Sequence, residues 1–237
     1  MQTPRALADA FAAGDTAAVI AESLGMAGAK SVLDVGCGRG ALAKALARKG
    51  FAVTGIDPQA EAVREASAAS PEAEFRVASA EDLPFDDGSF DGVVFLNSLH
   101  HVPEPKLGRA LAEAARVVNP GAPVLVVEPL AEGTFFEAMR PVEDETAVRE
   151  AAGRAVAQAV RDRLFELRGN VVFERRESFA DVESFIARVV AVDPARRATA
   201  EKKRAEVEAL LATHAERTAT GFSLKQPLRI YWLRPVG

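Results

Sequence analysis

The sequence predicts an α/β fold, a doubly wound and mostly parallel sheet, and three observations carry that expectation. Short β-branched runs alternate with Ala-rich amphipathic runs from residue 31 to 129. The first such run ends in VLDVGCGRG, with three glycines in five residues between an expected strand and an expected helix. Hydrophobic residues make up 49% of the 237-residue chain and charged ones 27%, enough apolar surface for a well-buried core.

The elements follow in order. Leu7, Phe11, Val19, Ile20 and Leu24 recur at helical spacing, broken at Gly14-Asp15, so two short helices are expected within residues 3–28. SVLDVG reads as a strand, ALAKALARKG as a helix ended by Gly50, and FAVTGID as a strand. PQAEAVREASAAS reads as a helix with Pro58 suited to its first turn. EFRVAS and SFDGVVFLN are expected strands, a helix is expected over about 105–118, and APVLVVEP closes the alternation. Beyond Pro129 come a long helical stretch over about 131–168, a strand at NVVFERRESF, helices over 181–191 and 199–217, and a last strand at FSLKQPLRIYWLRP. No repeat or linker marks a boundary, so the expectation is a single domain over 1–237, with an N-terminal helical cap over 1–29 and a ligand-binding core over 30–130.

Charge and composition restrict the partners. A net charge of −5 disfavours a broad electrostatic grip on nucleic acid or anionic lipid. A lone cysteine, Cys37, cannot form an internal disulfide, and MQTPRALADAF has neither the charged lead-in nor the apolar run of a secretory signal, so a cytoplasmic address is expected. No apolar run approaches the roughly 18 residues of a membrane span.

The glycine turn has two readings. Gly36, Gly38 and Ala41 satisfy G-x-G-x-x-G/A, and Asp57 ends the next expected strand, which is the layout of a nicotinamide dinucleotide site. Asp34, two residues before the first glycine, opposes that reading, because a pyrophosphate there would face a carboxylate at low dielectric. S-adenosylmethionine carries an ammonium, a sulfonium and ribose hydroxyls but no phosphate. The glycines would admit its methionine portion, Asp34 would favour its amine, and Asp57 would accept from its ribose. The plainer alternatives are that Asp34 caps loop amides and that Asp57 is an N-cap.

On these residues the chain resembles the class I S-adenosylmethionine-dependent methyltransferases. VLDVGCGRG is similar to their first motif, GIDP to the acidic end of their second strand, and NPGAPVLVVEP to their fifth-strand region. ASAEDLPFDDGSFDGVVFLNSLHHVPEP resembles the segment of small-molecule enzymes that include the ubiquinone and menaquinone C-methyltransferases. The resemblance implies a Rossmann-like seven-stranded sheet with an antiparallel last strand, and an acceptor-side region over 131–237. It further implies that S-adenosylmethionine is converted to S-adenosylhomocysteine on a small-molecule acceptor. Ser79-Ala80 stands where the family commonly has Asp-Ala, and by resemblance it would meet the adenine through the hydroxyl of Ser79 and the amide of Ala80. Asn97 would offer its backbone carbonyl to the methionine amine.

His100 and His101 follow the fourth strand directly, where an imidazole could remove a proton from the acceptor, and both are candidate catalytic residues. Packing under the loop is the competing role. His214 is expected at the surface. A metal is not expected, because the neighbourhood in sequence offers no further ligands for the histidine pair. The N-S-L-H run lacks the Asn/Asp-Pro-Pro-Tyr pattern of many nucleic-acid and glutamine methyltransferases, and the single cysteine disfavours thiol-relay chemistry, which leaves a small molecule. Phe135, Phe136, Thr134 and Met139 are candidates for an acceptor wall or for ordinary core, and Arg140, Arg175 and Arg176 for anion contacts or solvated faces. The late helices could cover the acceptor or bury against a twin subunit as a homodimer. A binding protein that retains the cofactor site without catalysis is the remaining alternative.

Overall fold

The computed structural model describes residues 4–236. Five strands run parallel: β1 (Ser31–Val35), β2 (Ala52–Asp57), β3 (Glu74–Val77), β4 (Gly92–Leu96) and β5 (Val124–Pro129). β6 (Phe165–Phe179) and β8 (Gly221–Pro235) complete the path β3-β2-β1-β4-β5-β8-β6, with β8 antiparallel to both neighbours. That path has the seven expected members. An eighth strand, β7 (Glu216–Thr218), lies off it and pairs with β8, where a helix over 199–217 was expected. Its three side chains are all exposed, so no burial period marks it as a strand.

Helices cover both faces. On one, α1 (Arg5–Ala13), α2 (Thr16–Met26) and α3 (Ala41–Ala47) bury Leu7, Val19, Ile20, Leu24 and Leu46 against Val32, Val94, Leu125 and Ile230. The expected N-terminal cap is therefore anchored as a layer of core. Asp15 starts α2 by accepting from the Ala18 amide at 2.9 Å. Gly92 lets α2 sit close to the sheet, since a Cβ there would lie 2.6 Å from Leu24 Cδ2. On the other face, α5 (Leu107–Val117) and α7 (Thr146–Arg161) pack Leu111, Ala114, Ala152 and Val156 on Val93, Phe95, Val124 and Val126. α4 (Ala60–Ala69) flanks β2 and β3 and buries Val63 and Ala66.

The long helix expected over 131–168 is two: α6 (Thr134–Met139) and α7, separated by a turn through Pro141, with β6 starting at Phe165. α6, α8 (Val182–Val190), α9 (Arg196–Lys202) and α10 (Arg204–His214) form a cluster of their own with Phe179, Phe222 and Leu224 from the distal ends of β6 and β8. Phe135, Phe136 and Met139 are at most 5% exposed in that cluster, so of their two candidate roles core packing accounts for them. Among the described residues no helix is long and apolar enough to cross a membrane.

Leu24 is fully buried over the Gly92 gap. Leu24→Ala should lower unfolding stability by about 2–5 kcal/mol, read from urea denaturation, because it leaves a cavity that backbone cannot collapse into.

Candidate active site

The C-terminal edge of β1, β2 and β4 gathers the motif residues. After β1 the chain turns at Gly36, whose amide and that of Cys37 donate to Ile56 O at 2.8 and 2.9 Å. Gly36 has φ 75, and a Cβ would meet Ser98 Cβ at 2.5 Å, so only glycine fits. Gly38 has φ 52 and faces open space, with nothing within 4 Å of a Cβ. The two glycines differ: one lets two loops touch, the other leaves an open cradle.

Asp57 is buried and holds that cradle. Its Oδ2 accepts from the Gly38 amide at 3.0 Å and its Oδ1 from the Gln59 amide at 2.9 Å. It does not cap α4, which starts at Ala60 after Gln59 with no side-chain cap, so the plain N-cap role is corrected. Each carboxylate oxygen retains a second lone pair for a ligand hydroxyl.

Asp34 is 1% exposed, and its Oδ2 has no hydrogen-bond partner. Burial first, and the nearby Asp57 carboxylate second, push its pKa up from the ordinary carboxylate value to about 7. The same surroundings push the buried Cys37 thiol upward, so it is inert as a nucleophile. Across the loop, Asn97 adopts φ 52 and leaves its side-chain Oδ1 buried and unpartnered. Two buried acceptors at one sheet edge lack donors, which is the arrangement a cationic amine would satisfy. Ser79 and Ala80 follow β3 in a turn closed by a Ser79–Asp82 bridge, and Ala78 ties that turn to Asp57 O at 3.2 Å. All seven expected cofactor residues therefore lie at the same end of the parallel strands.

The two histidines are not equivalent. His100 is 5% exposed and its Nδ1 contacts Glu128 Oε2, while its Nε2 lies 3.9 Å from Glu145 Oε2. Glu128 Oε1 accepts from the Ser98 and Leu99 amides at 3.0 and 2.9 Å. Glu145 in turn takes Arg149 Nε and Nη2 on Oε2, at 3.0 and 2.7 Å, and Arg196 Nη2 on Oε1 at 2.7 Å. His101 is exposed, stacked against His100 with ring centroids 4.1 Å apart. Desolvation and its histidine neighbour lower its pKa to about 4, so it is neutral at physiological pH. Glu128, Glu145, Arg149 and Arg196 were not singled out from the sequence; the available signal was a single charge inside the apolar run VLVVEP.

His100, His101 and Glu145 bring ligand atoms within 4.8 Å of one another, so the fold supplies the third donor that the local sequence lacks. Both oxygens of Glu145 already carry guanidinium bonds, and a divalent ion would face two arginine cations. The cluster is organised as an ion-pair network. Arg140, Arg175 and Arg176 pair with Glu137, Glu177 and Glu174 with Glu216 respectively, so none is an uncommitted anion contact. His214, at the end of α10, is half-buried.

Residues 32–121 match the family described as a methyltransferase domain. This stretch is similar to known methyltransferase domains. Among curated proteins, the ubiquinone biosynthesis O-methyltransferase of Alkalilimnicola ehrlichii is 40% identical over 111 residues, which are 45% of this chain and 44% of that protein. That of Paracidovorax citrulli is 42% identical over 98 residues, 39% of this chain and 40% of that protein. The matched region thus spans under half the length of these relatives. The solved structure of the YcgJ protein of Bacillus subtilis superposes with a TM-score of 0.60 at 22% identity, covering 91% of this chain and 97% of that one. The cyclase SpnF superposes with a TM-score of 0.61 at 21% identity, covering 92% and 82%. These two likenesses establish the fold.

Glu128→Ala should leave the Ser98 and Leu99 amides and the His100 ring nitrogen without their acceptor. The expected loss is about 2–4 kcal/mol of stability by denaturant unfolding, with a changed His100 ring resonance by NMR. Glu128→Gln, which keeps one acceptor oxygen, should lose less.

Proposed function

We propose that the protein transfers a methyl group from S-adenosylmethionine to a small-molecule acceptor and releases S-adenosylhomocysteine. The observation that carries this is the pair of buried, donor-free oxygens, Asp34 Oδ2 and Asn97 Oδ1, at the same end of the parallel strands as the open face of Gly38. They fit a ligand bringing an ammonium group. A dinucleotide pyrophosphate would bring no donor to either oxygen and would face the Asp34 carboxylate with like charge, which disfavours the nicotinamide reading. Both relatives are ubiquinone biosynthesis O-methyltransferases, which supports methyl transfer and a small acceptor.

When bound, S-adenosylmethionine supplies an electrophilic methyl group on a sulfonium. The chain's part is placement. Asp34 and Asn97 hold the amine, Gly36 and Gly38 admit the methionine chain, Asp57 accepts from the ribose hydroxyls, and Ser79 with Ala80 meets the adenine. His101, neutral and open to solvent, accepts a hydrogen bond from the acceptor's reacting group and can take its proton. His100, enclosed between Glu128 and Glu145, is a positioning residue that fixes where the His101 ring stacks.

Asp34 makes cofactor binding depend on pH. Its carboxyl ionises at about 7 in the free protein, so below that pH a proton must leave before the amine can pair. Affinity for S-adenosylhomocysteine should fall as pH drops below about 7, by up to about tenfold per unit. Titration calorimetry of the wild type and of Asp34→Asn checks this: the variant should bind weakly and lose the pH slope.

Turnover is tested with methyl-tritiated S-adenosylmethionine in a fractionated cell extract. Label should enter the small-molecule fraction and be absent with Asp57→Ala; label in protein or nucleic acid would refute the acceptor class. His101→Ala should reduce turnover at least tenfold with cofactor affinity unchanged. An equal loss in both would show that the histidine supports the loop instead.

A further inference from the structure

A cavity of about 670 Å³ opens between α7 and the β5-β8-β6 side of the sheet, away from the glycine turn. Ala152, Val156 and Val160 of α7 face it, as does Leu167 of β6, a large apolar side chain left 38% exposed. The helix keeps a glycine here: Gly153 lines the cavity, and a Cβ at that position would meet only the Tyr231 hydroxyl, at 3.8 Å. No close backbone approach requires that glycine, and a glycine inside a helix weakens it. Its effect is room.

The charges around the cavity do not balance. Glu128 is committed to the Ser98 and Leu99 amides and His100, and Arg149 to Glu145. Arg154 lies 3.6 Å from both Glu150 and Glu104. Arg229 of β8, whose backbone register partner is Glu128, has no ion pair or side-chain hydrogen bond among the described residues, and its Nε is buried without a partner. Its guanidinium carbon lies 6.0 Å from the Tyr231 ring, which holds it at the cavity wall. One unmatched cation with a buried, unsatisfied donor, facing the apolar side chains of α7 while the other charges of the wall are paired, calls for an anion on an apolar body.

The geometry points to a binding site in this cavity for an amphipathic organic carboxylate, with Arg229 as its anion contact and the α7 face around Gly153 as its apolar seat. The site is separate from the cofactor cradle and does not rest on the assignment of methyl transfer.

The chain's sole tyrosine, Tyr231, lines the cavity, so protein labelled with 3-fluorotyrosine gives a single reporter resonance. Octanoate should shift it saturably, and neutral 1-octanol should need at least about tenfold more for the same response. Arg229→Met should bring octanoate down to the level of octanol, and Gly153→Leu should abolish the response to both. Saturating S-adenosylhomocysteine should leave the octanoate titration unchanged. Equal titration by the two probes in the wild type, which needs no variant to interpret, would overturn the proposal. So would an unaltered octanoate affinity in folded Arg229→Met, or competition by S-adenosylhomocysteine.

Discussion

The candidate site depends on one buried carboxylate at the end of β5. Every residue of that strand is buried, and Glu128 is the charge within it. An isolated ion there would be prohibitively costly, so its partners must be present whenever the strand is in place. They are the Ser98 and Leu99 amides and the His100 ring, all from the turn that leaves β4. That turn starts from a left-handed Asn97 and sends the Ser98 hydroxyl to Val35 O at 2.6 Å, against Gly36. A side chain on β5 thereby fixes the loop after β4, and that loop fixes the entry to the glycine turn after β1. The cradle, the histidine pair and the sheet are consequently one construction.

The electrostatics at the glycine turn follow from the same crowding. Asp34 and Asp57 lie in the last two positions of adjacent parallel strands, so each ionised form opposes the other, while Asp57 receives loop amides. The asymmetry places the proton on Asp34 up to about pH 7 and leaves its Oδ2 without a donor. On the proposed reading, a ligand ammonium supplies what the protein withholds. The protein's own amides have organised Asp57 for the neutral, hydroxyl-bearing part of the same ligand.

Much of this was legible in the sequence because the core alternates cleanly. Asp34, Gly36, Gly38 and Asp57 sit in motifs whose spacing is set by strand and turn lengths, and neighbouring parallel strands bring those motifs to one edge regardless of detail. The second half was harder. Glu216–Thr218 has no buried face. While NVVFERRESF in the second part of β6 reads as a strand, its start at 165–168 falls in the expected helix, because on this edge strand side chains such as Leu167 stay exposed and give no clean alternation. The partners of His100 were out of reach for a different reason. Glu128 and Glu145 lie 28 and 45 residues away in the chain; the pairing of β5 with β4 brings the first to the ring and the docking of α7 onto the turn after β4 brings the second.

That docking also ties the helical cluster beyond α7 to the histidines. Arg196 starts α9 and is 6% exposed, yet it reaches Glu143 and Glu145 across the gap between the cluster and the sheet. Glu145 shares its other oxygen between Arg149 and the approach to His100 Nε2. Arg149 lies 4.8 Å above the Phe136 ring and donates to Leu130 O at 2.8 Å, so its guanidinium is pinned from α6 and from the end of β5 together. Buried charges of this kind tolerate few arrangements, because displacing one strands the next without a counter-ion. A shift of α9 relative to the sheet therefore cannot be absorbed locally: it must move Glu145 or break its pair with Arg196. The position of the late helices and the setting of the His100 ring are linked through three side chains, Arg196, Glu145 and Arg149, that carry no part of the cofactor motif.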